Sequence, residues 1–289
     1  MKPSSGIASA FGPLHAQFVR EGMVEVEGAL APAFCEAVIR ERLAVLGVAE
    51  EHPDTWPQGA QNLPVTTSFP MIEVAPRAAA ALRELLGDAA VSFGDIPDNL
   101  IVNFPAPAAE WWPPAQWDHP AAEWHKDGDW FRHFLDSPEQ ALLVIVFWRD
   151  VVAQQGATYI AADSIEPIAR LLADHPEGLA PSDLLDHVRT IVAGCHDFRA
   201  LTGRQGTIVF AHPFLAHTRS TNALHSLRII SNSSVMLREP MCFDRPDAVY
   251  TAVERSILAA LGLERLDFRI KGVRDSIESE RERQWRQSG

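Results

Sequence analysis

The residues best suited to chemistry in this chain are histidines that stand two positions before a carboxylate. Three such triplets occur: His52-Pro-Asp54, His125-Lys-Asp127 and His175-Pro-Glu177. In an extended strand, residues i and i+2 project to the same face, so a triplet of this kind can direct an imidazole and a carboxylate at one metal ion. The central proline of the first and third triplets fits poorly inside a sheet. His125 and Asp127 are therefore the candidate metal ligands.

A third ligand has to come from a distant part of the chain. The stretch GTIVFAHPFLAHTRSTNALHSLRIISNSSVML, residues 206–237, contains three histidines between two strand-like runs, and two of them, His212 and His217, closely follow the first run. Its second run opens with Arg228, and burying that guanidinium inside a barrel is costly without an anion. The partner would be a carboxylate of the protein or of a ligand, and the forked guanidinium suits a dicarboxylate cosubstrate.

Two histidines and one carboxylate on one face form the ligand set of non-heme Fe(II) oxygenases, which leaves coordination positions open. At these residues the sequence resembles the phytanoyl-CoA dioxygenase-like group of Fe(II)/2-oxoglutarate-dependent oxygenases. Members carry a His-x-Asp, a distal His, an Asn five residues after it and an Arg eleven residues after it. The residues that match are His125, Asp127, His217, Asn222 and Arg228. This spacing selects His217, rather than His212, as the distal ligand.

The resemblance covers about residues 14–236. It includes FVREGMVEVEGAL, NLIVNF and FWRDVVAQQGATYIAADSI. It implies Fe(II), with 2-oxoglutarate and O₂ as cosubstrates, and places Arg228 on the distal carboxylate of 2-oxoglutarate. The other residues at positions of cosubstrate contact are Asn103, Trp148, Thr158 and Asn222.

The chain departs from the family pattern at several positions. Asn103 stands where some relatives have lysine, Arg219 stands where others have serine, and AADSI replaces the usual Pro-Gly-Ser-His. Family halogenases replace the carboxylate ligand with a small residue, whereas Asp127 is retained here. The resemblance therefore implies hydroxylation rather than halogenation.

Other polar and aromatic residues near these motifs have two interpretations each. Lys126, Arg132 and Arg219 either meet an anionic substrate group or are solvated or ion-paired, and the histidines at 119, 133, 212 and 225 either lie near the site or are structural or solvated. Five tryptophans either line an apolar pocket or pack a proline-rich loop against the barrel. They are Trp111, Trp112, Trp117, Trp124 and Trp130.

The elements that position these residues change in character along the chain. Helical patterns occupy 14–22, 32–47 and 77–87, with a short strand at 23–30, and residues 50–70 are expected to form a loop. Strands are then expected at 99–104, 141–148, 157–161, 206–210 and 227–237. Helices are expected near 166–174, 182–188 and 247–261, and the polar tail 276–289 is either helical or frayed. This order predicts an all-β core with flanking helices, a double-stranded β-helix (jelly roll, cupin-like).

Length and composition are those of an ordinary globular protein. The chain has 289 residues and a net charge of -13, so nucleic acid and anionic membrane surfaces are not expected partners. It lacks a long apolar run and an export signal, and its three cysteines, Cys35, Cys195 and Cys242, suggest neither a disulfide framework nor a zinc ribbon. We expect one cytoplasmic domain, residues 1–289, with its core at about 14–236 and a C-terminal helical extension at about 240–289.

The expected activity is hydroxylation of a small organic molecule such as an amino-acid derivative, a lipid or a natural-product intermediate. Desaturation, epoxidation and rearrangement use the same kind of iron site and remain open. Two alternatives come from other classes: a non-catalytic cupin-like binding protein that retains a metal, and an oxygenase that acts on a protein. The oligomeric state does not follow from the sequence.

Overall fold

A computed structural model describes residues 12–87, 91–106 and 110–277 of the chain. The α-helices of these residues are α1 (Pro13–Glu21), α2 (Pro32–Val45), α3 (Met71–Val74), α4 (Pro76–Leu86), α5 (Ile165–Asp174), α6 (Pro181–Val192) and α7 (Ala252–Leu261). The strands are β1 (Met23–Val26), β2 (Ala60–Asn62), β3 (Ser68–Phe69), β4 (Val91–Phe93), β5 (Ile96–Pro97), β6 (Ile101–Asn103), β7 (Leu142–Phe147), β8 (Thr158–Ala161), β9 (Phe198–Leu201), β10 (Ile208–Ala211), β11 (Ala216–Arg219) and β12 (Arg228–Leu237).

A large antiparallel sheet forms the centre of the fold. Its strands lie in the order β1-β10-β7-β12-β6-β2, and β4 also pairs with β12. Every residue of β7 is buried because the sheet is covered on both faces. One face, here called the outer face, carries Ser231 and packs against α2 through Trp148 and Phe34. The inner face carries Arg228 and Asn232, which alternate with Ser231 along β12.

A small antiparallel sheet, in the order β11-β8-β9, faces the inner face of the large one. His125 joins its edge through a backbone bridge to His217 in β11. Cross-strand pairing puts His217 and Ile160 on the same side of this sheet. Thr158 lies on that side too and contacts Arg228 across the gap, at 2.7 Å between Oγ1 and Nη2. The space between the sheets therefore receives side chains from both.

The C-terminal part of the described chain crosses the loop that follows Asp127. The Ile277 amide donates to the Trp130 carbonyl at 2.7 Å, and Arg274 pairs with Asp136 at 2.6 Å. This segment holds the loop in place from outside the sheets. In the described residues, no helix combines the length and apolar character needed to cross a bilayer.

The predicted helices at 14–22, 32–47 and 77–87 correspond to α1, α2 and α4, and the predicted strands at 141–148, 157–161, 206–210 and 227–237 correspond to β7, β8, β10 and β12. Strands β9 and β11 are absent from the prediction, and the predicted loop at 50–70 contains the short strands β2 and β3.

The predicted helix at 247–261 corresponds to α7, which ends at the predicted residue and begins later. The helix begins at Ala252 rather than 247, because Thr251 caps it: the Thr251 hydroxyl accepts from the Glu254 amide, and the Glu254 carboxylate accepts from the Thr251 amide. Residues 262–277 contain no helix. The remaining tail, 278–289, lies outside the described residues. The boundary of a single domain stays a prediction.

Candidate metal centre

Three side chains from two distant parts of the chain meet between the sheets. One ligand atom from each of His125, Asp127 and His217 lies within 4.8 Å of the other two. The Nε2 atoms of His125 and His217 are 3.4 and 3.5 Å from Asp127 Oδ1. Two ligand atoms about 2.1 Å from one metal ion and at right angles are about 3 Å apart, so this spacing fits a metal ion.

Backbone bonding fixes how the two histidines meet. The His125 amide donates to the His217 carbonyl at 3.0 Å, and the His217 amide donates back to the His125 carbonyl at 2.9 Å. This reciprocal pair is the antiparallel bridge that brings the two imidazoles to a centroid distance of 4.4 Å. A short strand segment therefore brings together residues that are 92 positions apart in the sequence.

Both imidazoles are held in the orientation that a metal ligand needs. His125 Nδ1 lies 2.7 Å from the Glu123 carbonyl, and His217 Nδ1 lies 3.0 Å from the Leu215 carbonyl. A carbonyl only accepts, so each Nδ1 carries the hydrogen and each Nε2 presents its lone pair toward Asp127. His217 Nε2 is buried and has no hydrogen-bond partner among the described residues, as a vacant ligand atom would be.

Asn232 orients the carboxylate. Its Nδ2 donates to Asp127 Oδ2 at 2.6 Å, which leaves Oδ1 facing the two histidines. Burial alone would raise the pKa of Asp127, but His217 and His125 hold it well below the usual value. Burial likewise lowers the pKa of His125, but a protonated Nε2 would donate to Asp127 and be stabilised by its charge, so the net shift is upward. The carboxylate is therefore ionised at neutral pH, in the form that binds cations.

Lys126 stabilises the turn after Asp127 and is not part of the ligand cluster. Its Nζ donates to the Asp127 carbonyl at 3.1 Å and to Gln140 Oε1 at 2.9 Å, and it lies 3.2 Å from His133 Nδ1. His133 is buried and its Nε2 donates to the Gly128 carbonyl at 2.6 Å. Burial lowers the pKa of Lys126 to about 7, and burial and the Lys126 charge hold the pKa of His133 well below its usual value. Both residues are thus engaged within the protein.

Arg228 is buried without a counter-ion. Only 2% of the residue is exposed, its Nη2 donates to Thr158, and its Nε has no partner. Across the described ranges, no carboxylate oxygen lies within 4.0 Å of its guanidinium. Burial, followed by the charge of Arg219, lowers the pKa of Arg228 to about 9. A buried cation in this state is a candidate binding group for a ligand anion, because the described protein supplies no carboxylate to it.

Asn103 stands beside Arg228 and faces the same space. The two residues are opposite each other in the β6–β12 ladder, so their side chains share the inner face. Asn103 is 5% exposed and its Nδ2 has no partner. Gly156, at φ 79°, passes so close to this amide that a side chain there would collide with it. The unpaired donors of Asn103 and Arg228 fit the carboxylate of a ligand.

Two other residues predicted to contact the cosubstrate use their polar groups within the protein. Trp148 points to the outer face, where its Nε1 donates to Ser231 Oγ at 2.9 Å and its ring packs on Phe34. Asn222 uses its amide within the protein: Nδ2 donates to the carbonyls of Asn103 and Ser226, both at 2.9 Å, and Oδ1 accepts from the Leu224 amide. Trp148 therefore packs the sheet against α2. Asn222 shapes the loop beside Asn103.

The tryptophan-rich loop packs against the outside of the small sheet. Tyr159 and Phe198 alternate with the inward-facing Thr158 and Ile160, and they meet the loop on the opposite side. The contacts are Trp111 Nε1 to the Tyr159 hydroxyl at 3.1 Å, Trp112 edge-on to Tyr159, Trp117 stacked on Phe198, and Trp124 tilted against Phe198. Trp130 lies apart from these, edge-on to Phe131. The packing interpretation holds for the first four rings.

The structure also gives the contacts or exposure of the remaining residues that have two interpretations from the sequence. Arg132 pairs with Asp275, His119 stacks on Trp112, His212 is buried and His225 is exposed. Asn232 was not predicted as a partner of the carboxylate ligand. Asn232 follows Arg228 by four residues, and in a strand this even spacing places both side chains on one face. The sequence therefore indicates that Asn232 faces the site.

Comparison with known proteins gives matches to solved structures alone. No protein-family model and no curated protein matches the chain. The epimerase SnoN, solved in complex with Fe3+, alpha ketoglutarate and nogalamycin RO, is 18% identical over 77% of this chain and 82% of its own, with a TM-score of 0.47. The alpha ketoglutarate dependent carbocyclase SnoK is 18% identical over 80% and 86%, with a TM-score of 0.47. EctD from S. alaskensis, solved with 2-oxoglutarate and 5-hydroxyectoine, is 17% identical over 75% and 73%, with a TM-score of 0.43.

Proposed function

We propose that this chain is an Fe(II)- and 2-oxoglutarate-dependent oxygenase that acts on a small organic molecule, and that it belongs with the phytanoyl-CoA dioxygenase-like group. One observation carries the proposal. A cluster of two histidines and one carboxylate lies between the same two sheets as Arg228, a buried guanidinium that has no carboxylate partner in the described protein. The first feature fits Fe(II), and the second fits the far carboxylate of a keto acid bound to that metal.

The strand order supports a double-stranded β-helix. From β6 onward the chain passes from the large sheet to the small-sheet edge at His125, back to β7, then to β8 and β9, and then to β10, β11 and β12 by further crossings. Repeated crossing between two facing antiparallel sheets is the path of a jelly roll. We propose one such catalytic domain, with its core at about 14–236, in a cytoplasmic protein.

Each residue has a defined task in this proposal. His125, Asp127 and His217 hold the iron, and Asn232 keeps the carboxylate turned toward it. When bound, Fe(II) and 2-oxoglutarate supply the activation of O₂ that oxidises the substrate.

Arg228, Asn103 and Thr158 hold the far carboxylate of the cosubstrate and so fix its direction in the space between the sheets. The inner face beside these groups is apolar, with Ile145, Phe147 and Ile230 at most 4% exposed, and it limits the access of water from the large-sheet side. Because Asp127 is retained as a ligand, we propose hydroxylation as the outcome.

Turnover of 2-oxoglutarate without added substrate tests this function. The full-length protein is purified without oxygen and mixed with Fe(II), ascorbate and 2-oxoglutarate, and succinate is measured after oxygen is admitted. We expect succinate from the wild type, none from His125→Ala and much less from Arg228→Ala. Arg170→Gln, an exposed change on α5, serves as the control for lost positive charge.

The absence of both succinate and 2-oxoglutarate binding in the wild type would contradict the proposal. Metal binding without any 2-oxoglutarate binding would instead identify a non-catalytic binding protein.

A further inference from the structure

A second arginine faces the space that Arg228 occupies. Arg219 follows His217 by two residues in β11, so both side chains project to the inner side of the small sheet. Arg219 is also paired directly with Thr158 across the β11–β8 ladder. Side chains that stand opposite each other in an antiparallel pair share a face, with Cβ atoms about 4.5–5.5 Å apart. Arg219 is exposed, which places its guanidinium at the open side of this space.

Thr158 therefore links the positions of the two arginines. Its hydroxyl accepts from Arg228 Nη2 at 2.7 Å, and Arg219 is its cross-strand partner in the β11–β8 ladder. Burial and the positive charge of Arg219 together lower the pKa of Arg228, so the two cations influence each other electrostatically. Like charges that interact in this way are unfavourable unless an anion lies between or beside them.

The described protein does not supply that anion. Neither Arg219 nor Arg228 has a carboxylate partner in residues 12–87, 91–106 and 110–277. Acidic groups are abundant, 38 against 25 basic residues, and several arginines near the surface are neutralised, such as Arg149 by Glu50 and Arg132 by Asp275. Two arginines without counter-ions, one on each of the facing sheets of an acidic chain, therefore make the space between the sheets a candidate site for an anion.

We propose that Arg219 is a second binding residue for the far carboxylate of 2-oxoglutarate, which it holds together with Arg228. The inference rests on the function proposed above. A carboxylate has two oxygens and about four acceptor positions, so it can receive donors from both guanidiniums and from Asn103 Nδ2. Arg228 binds it from the buried side and Arg219 covers it from the open side.

This arrangement makes a specific demand on the cosubstrate. Arg219 contributes to a keto acid only if that keto acid has a carboxylate at its far end. Its contribution is therefore measured by comparing 2-oxoglutarate with 2-oxopentanoate, which has the same five-carbon chain and the same keto-acid end but a methyl group in place of the far carboxylate.

The experiment is calorimetric titration of both keto acids into the full-length protein loaded with Mn(II) in place of iron, under nitrogen. The proteins are the wild type, Arg219→Gln, Arg219→Lys and the control Arg170→Gln. For 2-oxoglutarate we expect Arg219→Gln to raise Kd about tenfold, the size of one charged hydrogen bond at a partly exposed position. Arg219→Lys keeps the charge but not the fork, so its Kd lies between the two. For 2-oxopentanoate all four proteins have the same Kd.

Each other outcome is decisive. If Arg219→Gln weakens both keto acids equally, Arg219 does not act on the far carboxylate and the inference is wrong. If it weakens neither, Arg219 serves a substrate anion or solvent alone, and the inference is equally wrong. If the wild type binds neither keto acid while it retains Mn(II), the proposed function itself fails, and this inference falls with it.

Discussion

Asn232 donates a hydrogen bond of 2.6 Å to Asp127, from the middle of the longest strand to the carboxylate of the candidate metal site. The bond joins the large sheet to a turn of the small-sheet side. It ties up Oδ2 and leaves Oδ1 for the cation, so the direction of the carboxylate is set by a residue that does not belong to the ligand cluster.

Removal of this bond is expected to weaken metal binding without unfolding the protein. In Asn232→Leu the carboxylate is free to rotate, and we predict a rise of roughly 10–100-fold in the Kd for Mn(II), measured by calorimetry. Ser233→Ala alters the neighbouring residue on the outer face and is the matched control. Wild-type affinity in Asn232→Leu would show that the bond does not orient the ligand.

Arg228 is predicted to bind 2-oxoglutarate and, at the same time, to lower the free energy of unfolding of the protein. Because its charge is buried without a carboxylate, Arg228→Met should raise the free energy of unfolding of the metal-free protein by about 1–4 kcal/mol while it abolishes 2-oxoglutarate binding. Urea unfolding measures the first effect and calorimetry the second.

Arg42 provides the contrast, since this buried arginine lies 3.6 Å from the Asp98 carboxylate. Arg42→Met leaves that carboxylate buried without its cation, and the free energy of unfolding should fall by about 3–5 kcal/mol. Equal destabilisation by the two changes would mean that Arg228 is also neutralised within the protein.

Trp148 is predicted to matter for packing and not for the cosubstrate. Trp148→Phe removes the donor to Ser231 and leaves a gap beside Phe34, so we expect a loss of about 1–3 kcal/mol in urea unfolding with an unchanged Kd for 2-oxoglutarate. Thr158→Val should instead raise the Kd for 2-oxoglutarate with little change in the free energy of unfolding, because the Thr158 hydroxyl faces Arg228. A weaker Kd in a fully folded Trp148→Phe would place the indole in the cosubstrate site after all.

The buried imidazole of His212 predicts a pH dependence of stability. Burial, followed by the Lys126 charge, lowers the pKa of His212 from 6.5 to about 3. Between these values the unfolded chain binds a proton that the folded chain does not, so this contribution to stability is complete above pH 6.5 and is lost as the pH falls toward 3. Its full size is on the order of 4–5 kcal/mol.

The measurement is the free energy of unfolding of metal-free protein between pH 7 and 4.5. His212→Asn keeps an acceptor for the Phe214 amide, which bonds to His212 Nδ1 in the wild type, but has nothing to titrate. We expect a shallower decline in the variant. Parallel curves for the two proteins would show that the folded protein protonates His212 over this pH range as readily as the unfolded chain does.

The sequence predicts the parts of this site that depend on spacing along one strand. His125 and Asp127 share a face because they are two residues apart, and Arg228 faces inward with Asn103 because both lie in regular ladders. The position of Trp148 was not predictable in this way. All six residues of β7 are buried, so the strand has no alternation of polar and apolar residues that would distinguish its two faces.

Strand β11 was missed for a related reason. Its four residues, Ala216–Arg219, are too few for a periodic signal, and the strand exists because β8 pairs with it along its length. The bonds of Lys126 likewise depend on Gln140 and His133, whose approach is set by the tertiary fold. Neither the pairing of β11 with β8 nor the bonding of Lys126 can therefore be predicted from neighbouring residues in the sequence.

One strand supplies both the support for the metal ligand and the buried cation, since Asn232 and Arg228 are four residues apart on the inner face of β12. Side chains alternate between faces, so deletion or insertion of one residue between them turns one of the two toward α2. A substitution along β12 therefore leaves the direction of both side chains unchanged, whereas a one-residue change of length between them removes half of the site at once.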